Sequence, residues 1–256
     1  MRLFSIGFLA ILACVAVAVS TAHADVIVPG ALAGVEGNTN NAFPFNISAF
    51  ALSSQRYQQV YSATEFAGAV LISGIAFRPA AIIGSAFSST LPSIQISLST
   101  TSAAVDGLST TFANNVGGNV TSVFSGALPM SSSFTGPAGG PKQFDISITL
   151  TTLFFYDPAL GNLLLDVRNF GAGTTTQFDA QFSSDSISRV FTFSPAGVNS
   201  PIGQTDTGGL VTKFTTTTVP EPSSLFLLSV GLVAFGFLHG QIKKVTPASD
   251  PQLDRK

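Results

Sequence analysis

Chemistry at a protein site needs side chains that ionise, attack or ligate, and this chain has few of them. Of its 256 residues only 9% are charged, with one Cys, two His and no Trp. Cys14 and His23 lie near the N-terminus and His239 near the C-terminus, in segments that belong to the ends of the chain. The long middle part therefore has neither thiol nor imidazole, which excludes Ser-His-Asp and Cys-His catalysis and the usual zinc and iron ligand sets within it. Carboxylate chemistry is what remains. Asp145, Asp166, Asp179 and Asp185 stand in strand-like surroundings, and two of them facing one cleft would meet the need of a secreted hydrolase of the glycosidase type. Against this, Asp145 and Asp166 fall on the polar side of alternating strands and Asp185 in a Ser-rich turn, where a solvated Asp is ordinary. Asp157, Asn162 and Asp206 are candidate oxygen ligands for calcium, the one cofactor considered, although no spacing among them matches a defined calcium loop. Tyr57 and Tyr61, flanked by Arg56, Gln58 and Gln59, form the candidate aromatic platform for a sugar. The competing reading places both in a short helix packed on the domain.

These residues sit in a stretch built for strands. Asp25 to Glu221 holds eleven acidic and six basic residues, a net charge of minus 5, so no basic patch is available for nucleic acid. With 24 Gly and 14 Pro the chain is rich in turn formers, and Ser and Thr fill much of the rest. Ser93–Ser99 and Phe144–Leu150 alternate strictly between apolar and polar, as a sheet wetted on one side requires. Gly74–Arg78, Asn162–Asn169 and Ser188–Phe193 read similarly. Asp157-Pro158-Ala159-Leu160-Gly161-Asn162 supplies turn chemistry and predicts a hairpin between strands ending at Tyr156 and starting at Leu163. Gln55–Phe66 is the one stretch with room for a short helical turn, and Gly171-Ala172-Gly173 fits a connecting loop. Short strands at this spacing predict an all-β fold, an antiparallel β-sandwich of jelly-roll type, with the many Phe residues as its core.

The two ends read differently. Met1-Arg2, the apolar run Leu3–Val19 and the small residues Ala22 and Ala24 around His23 have the layout of a secretory signal helix cleaved before Asp25. Near the other end, 21 residues from Pro222 to Ile242 carry no formal charge. As a helix they would extend roughly 31 Å, enough to cross a bilayer once. Lys243 and Lys244 follow on one side only and hold that end in the cytoplasm by the positive-inside rule.

Val219-Pro220-Glu221-Pro222, followed by an apolar span and a basic stop, resembles the PEP-CTERM sorting signal of Gram-negative bacteria that make extracellular polysaccharide. The resemblance implies recognition of Pro-Glu-Pro by a membrane enzyme, an exosortase, and removal of the anchor. Two fixed proline φ angles suit an extended segment gripped just outside the membrane. The chain departs from the pattern in having two lysines where an Arg-rich cluster is usual and in continuing from Val245 to Lys256. A weaker resemblance, carried by Arg56–Tyr61, Gly74–Arg78, Ile96–Thr100, Tyr156-Asp157-Pro158 and Gly161–Val167, links about Phe43 to Phe214 with an uncharacterised family of exported β-domains found beside the same signal.

The expected layout is a signal peptide over 1–24, an exported β-domain over 25–214, a Thr-rich stalk over 215–221, a single transmembrane helix over 222–242 and a basic tail over 243–256. The expected function is that of a non-enzymatic surface or extracellular-matrix protein, anchored transiently and processed by an exosortase-type enzyme. A carbohydrate-binding protein of the polysaccharide matrix and a carboxylate-dependent secreted hydrolase are the alternatives.

Overall fold

A computed structural model of the chain describes residues 23–219. The Pro-Glu-Pro motif, the apolar span, the basic tail and all of the signal segment before His23 lie outside the described residues. Thirteen strands follow in chain order: β1 (His23–Val28), β2 (Thr39–Asn41), β3 (Gln55–Tyr61), β4 (Val70–Phe77), β5 (Phe87–Thr101), β6 (Thr121–Ser132), β7 (Ile146–Tyr156), β8 (Asn162–Asn169), β9 (Phe178–Phe182), β10 (Ile187–Phe191), β11 (Gln204–Asp206), β12 (Gly208–Leu210) and β13 (Thr212–Thr218). Between them, among the described residues, the only helical elements are single 3-10 turns.

Alternation of side chains decides what each strand can bury. In β8, Leu163, Leu165 and Val167 face inward, and in β5 Ile94, Ile96 and Leu98 do the same. They meet Ile72, Ile75 and Phe77 of β4, Ile146 and Ile148 of β7 and Phe214 of β13 in one shared core. The strands behind this core form two antiparallel sheets, ordered β1-β13-β4-β7 and β11-β10-β3-β8-β5-β6. A smaller sheet, β12-β9-β2, adds Phe178, Ala180 and Leu210 to the same cluster. Leaving out β2 and the segment β9–β12, the chain changes sheet at every step but the β5–β6 hairpin, and its last strand enters beside its first.

The inner faces are joined by more than apolar area. Tyr61 of β3 and Phe214 of β13 stack edge to face with centroids 5.0 Å apart, and the Tyr61 hydroxyl shares a 2.9 Å hydrogen bond with Thr212 Oγ1. Phe66 continues the aromatic contact to Phe214 and to Tyr156.

Three expectations need correction here. Gln55–Phe66 is mostly strand β3, with only the 3-10 turn Ala63–Glu65 at its end, because β3 is bonded on both sides, to β10 and β8. The turn after Tyr156 is a corner and not a hairpin. β7 pairs with β4 in one sheet, whereas β8 lies between β3 and β5 in the other. Asp157 Oδ1 caps the turn by accepting from Ala159 N at 2.9 Å, and Gly161 turns with φ 136° where a Cβ would meet Thr101 O at 2.5 Å. The third concerns the stalk. Thr215–Thr218 belongs to β13, paired with β4 on one side and, up to Thr217, with β1 on the other. β-branched threonines suit a pleated strand with neighbours on both edges; Thr215 and Thr217 are half-buried and Thr218 exposed, whereas Thr216 is buried with its hydroxyl bonded to Ala24 O.

Replacing Phe214 by Ala should destabilise the domain by about 3–5 kcal/mol, since a fully buried ring leaves a cavity between two sheets. Phe155→Ala, on a half-exposed position of β7, should cost less than about 1 kcal/mol. Urea unfolding of the two variants, with equal slopes, checks the contrast.

Candidate functional site

Strand β3 holds Arg56, Tyr57, Gln58, Gln59 and Tyr61, five of the residues singled out by sequence, and it is buried along its whole length. Its inner face carries Tyr57, Gln59 and Tyr61. The proposed sugar platform is therefore corrected: Tyr57 and Tyr61 are both fully buried. Tyr57 donates to Gln59 Oε1 at 2.6 Å, and burial pushes both phenols up in pKa. The Gln59 side chain mimics a strand partner, accepting from Leu210 N at 2.8 Å and donating to Leu210 O at 2.9 Å. No sequence signal announces this, because a Gln-rich alternating strand reads as half exposed until the elements that cover its second face are known.

On the outer face, Arg56 grips Asp166 of β8 through two hydrogen bonds, Nε to Oδ1 at 3.1 Å and Nη2 to Oδ2 at 2.5 Å. Gln58 Nε2 donates to Asp166 Oδ2 at 2.8 Å, and Asn115 Nδ2 donates to Gln58 Oε1 at 3.0 Å. Phe112, from the segment between β5 and β6, lies under the Arg56 guanidinium at 4.8 Å. Leu108 and Phe112 pack there on Val60, Leu164 and Val190. Asp166 is thus buried and paired, where a solvated position was expected, because the segment between β5 and β6 folds back over this half of the sheet.

The remaining carboxylates are spent in separate places. Asp145 Oδ2 accepts from Ser133 N at 2.9 Å. Asp185 accepts from Ile187 N and Ser183 Oγ and is pushed up in pKa, chiefly by burial. Asp179 forms a fully buried ion pair with Arg78 at 2.6 Å and accepts from Gly37 N at 2.9 Å. The rest of the Arg78 guanidinium donates to the carbonyls of Leu32, Ala33 and Val35, so one cation fixes the chain between β1 and β2 against β4 and β9. Gly37 is needed for that approach, since a Cβ would sit 2.1 Å from Ala180 O and 2.8 Å from Asp179 Oδ1.

The calcium candidates also have internal partners. Asp157 caps its turn, Asn162 Oδ1 accepts from Ala63 N at 2.9 Å, and Asp206 is held by Arg189 at 2.8 Å and 2.9 Å while accepting from Gly208 N. Among the described residues no group of three His, Cys, Asp or Glu side chains is placed to hold a metal. Asp206 and Arg189 instead line a small half-open cleft of about 110 Å³ with Asp106, Ser188 and Thr205. None of the four sequence-nominated carboxylates reaches it. A drug-sized ligand site is roughly 300–1,000 Å³, so this cleft is well below that size.

One end of the molecule is chemically distinct in another way. β13 closes on Thr218, Val219 N still donates to Ala69 O at 3.3 Å, and the next residue is Pro220. Ala24, the small residue before the expected cut, lies in β1 and accepts from Thr216 Oγ1 at 2.6 Å, so both ends of the domain run along the same strand pair. The chain leaves that pair directly into a protein-sorting signal. Residues 218–239 match the PEP-CTERM protein-sorting motif, beginning on the last residue of β13. No curated protein and no solved structure matches the chain.

Burial raises the Asp179 carboxyl to about 6, against the pull of Arg78. An ordinary Asp titrates near 3.9, so the folded state binds this proton more tightly than the unfolded chain. Its contribution to stability is complete below about pH 4 and is lost as pH rises through about 6. Carboxyl-carbon NMR of the folded protein should show Asp179 titrating near 6; an inflection near 4 would contradict the burial described here.

Proposed function

We propose that this chain is a non-enzymatic cell-surface or extracellular-matrix protein whose exported domain is a jelly-roll β-sandwich. The eight main strands give sheets ordered first-eighth-third-sixth and second-seventh-fourth-fifth, and this supports the jelly-roll reading. The single observation that carries the functional reading is the PEP-CTERM match over 218–239, placed directly after the last strand of a folded unit. On this reading the signal over 1–24 directs export, residues 222–242 hold the chain in the membrane, and Lys243 and Lys244 keep the tail inside. Pro220, Glu221 and Pro222 then present the site to an exosortase-type enzyme, which releases the domain or transfers it to the surface.

The geometry of the domain end supports this division of labour. With Val219 the last described bonded residue, the motif starts where the ladder ends, so substitution of Glu221 should leave the fold intact. Glu221→Gln is expected to give a domain of unchanged melting temperature and an accumulating full-length, membrane-associated form. Intact mass and terminal peptides of the protein from surface, medium and membrane fractions test the reading. A wild-type product beginning at Asp25 and ending near Pro220 to Pro222 supports it, and an unprocessed C-terminus at Lys256 in every fraction refutes it.

A further inference from the structure

The six-stranded sheet has an outer face that the segment between β5 and β6 covers only in part. Its covered half holds Asp166, Gln58 and Val60; its other half is centred on Arg168 of β8. Among the six basic residues of the domain, Arg168 alone has no ion pair, side-chain hydrogen bond or aromatic face among the described residues. Arg56, Arg78, Arg189 and Lys213 are each paired with an Asp, and Lys142 donates to Pro137 O and lies over Phe134.

Register makes this exception costly. Arg168 stands directly opposite Arg56 on β3, and like charges opposite each other on one sheet face are unfavourable. Asp166 and Phe112 neutralise and screen Arg56, which leaves one uncompensated positive charge on a domain of net charge minus 5. On its other side Arg168 faces Gln95 of β5, and Gln95 faces Ser125 of β6. Arg168, Gln95 and Ser125 thus form a row of donors across three strands, each step about 4.8 Å. Phe170, two residues beyond Arg168, continues the ladder by donating its N–H to Ser93 O and keeps 46% of its surface exposed.

We propose that this row binds a carboxylate-bearing polysaccharide, with the Arg168 guanidinium on a uronate carboxylate, Gln95 and Ser125 on ring hydroxyls, and Phe170 against the apolar face of a neighbouring sugar. The planar fork of Arg matches a carboxylate with two parallel hydrogen bonds, which an ammonium does not reproduce. An aromatic ring beside it supplies the stacking surface that the buried Tyr57 and Tyr61 do not. The net negative charge of the domain disfavours loose attraction of any polyanion, so binding depends on this local arrangement. The proposal rests on the surface-protein reading only for where such a polymer is met, not for the binding itself.

The test is calorimetric titration of the protein as recovered from cells, in detergent where its anchor is retained, with oligogalacturonate and with neutral oligogalactoside of equal length. Saturable binding of the acidic oligomer is expected, at least tenfold weaker binding of the neutral one, and a tenfold or greater loss in Arg168→Gln at unchanged or raised melting temperature. Arg168→Lys should recover part of the loss and no more, and Lys213→Gln should bind as wild type. No binding, equal binding of both oligomers, or equal binding by wild type and Arg168→Gln overturns the proposal. The result is independent of where the chain is cut: unprocessed protein that binds would sink the sorting reading alone, and processed protein that does not bind would sink this one alone.

Discussion

The interaction on which the domain depends is the insertion of its last strand between its first and its fourth. β13 is bonded to β1 and to β4, and it supplies Phe214 to the core and Thr212 to the hydroxyl of Tyr61 on the facing sheet. Without it β1 has no partner and the four-stranded sheet is reduced to β4 and β7. A two-stranded ribbon is marginal in water, so the core stays open on one side until residues 212–218 are available. Contacts of this kind join residues nearly two hundred positions apart, and β-topologies dominated by such pairings close slowly and cooperatively.

Charge is used inside the domain to fasten covering segments to strands. Arg78 holds the loop after β1 through three carbonyls while pairing with Asp179, and Arg56 with Asp166, Gln58 and Asn115 holds the segment between β5 and β6. A buried ion pair of this sort adds little net stability relative to apolar residues of the same shape, because desolvation offsets attraction. Its value here is positional. Each arginine has a donor set that few arrangements of neighbouring carbonyls and carboxylates satisfy, which adds directional specificity to the apolar contacts of these loops.

How much of this is legible in the sequence depends on the content of period-two alternation. Alternation reports which residues share a face, and so it points to the all-β class and to five of the thirteen strands, β4, β5, β7, β8 and β10, through stretches such as Ser93–Ser99 and Asn162–Asn169. It does not report what lies against the second face. Asp166, Tyr57 and Tyr61 escape it for that reason: covered on both faces at these positions, β3 and β8 use polar side chains there as internal partners. Nor does a turn motif say whether the strands it joins share a sheet, and Asp157 to Gly161 serves a corner as well as a hairpin. By composition the threonines at 215–218 suit a stalk, whereas their β-branched shape is what a strand with two neighbours accepts. The sorting motif is readable because its information is linear, a fixed run of residue types. The Arg168 row is not, since it exists only through the register of neighbouring strands.

The directness of the junction at Val219 has a mechanical meaning. Whatever tension reaches the domain through Pro220 arrives on a strand bonded along both edges. Such a strand cannot be peeled from a free margin one hydrogen bond at a time; the ladder to β1 and the ladder to β4 must give way together. A tethered molecule pulled through this end would therefore meet drag from its surroundings with both ladders at once.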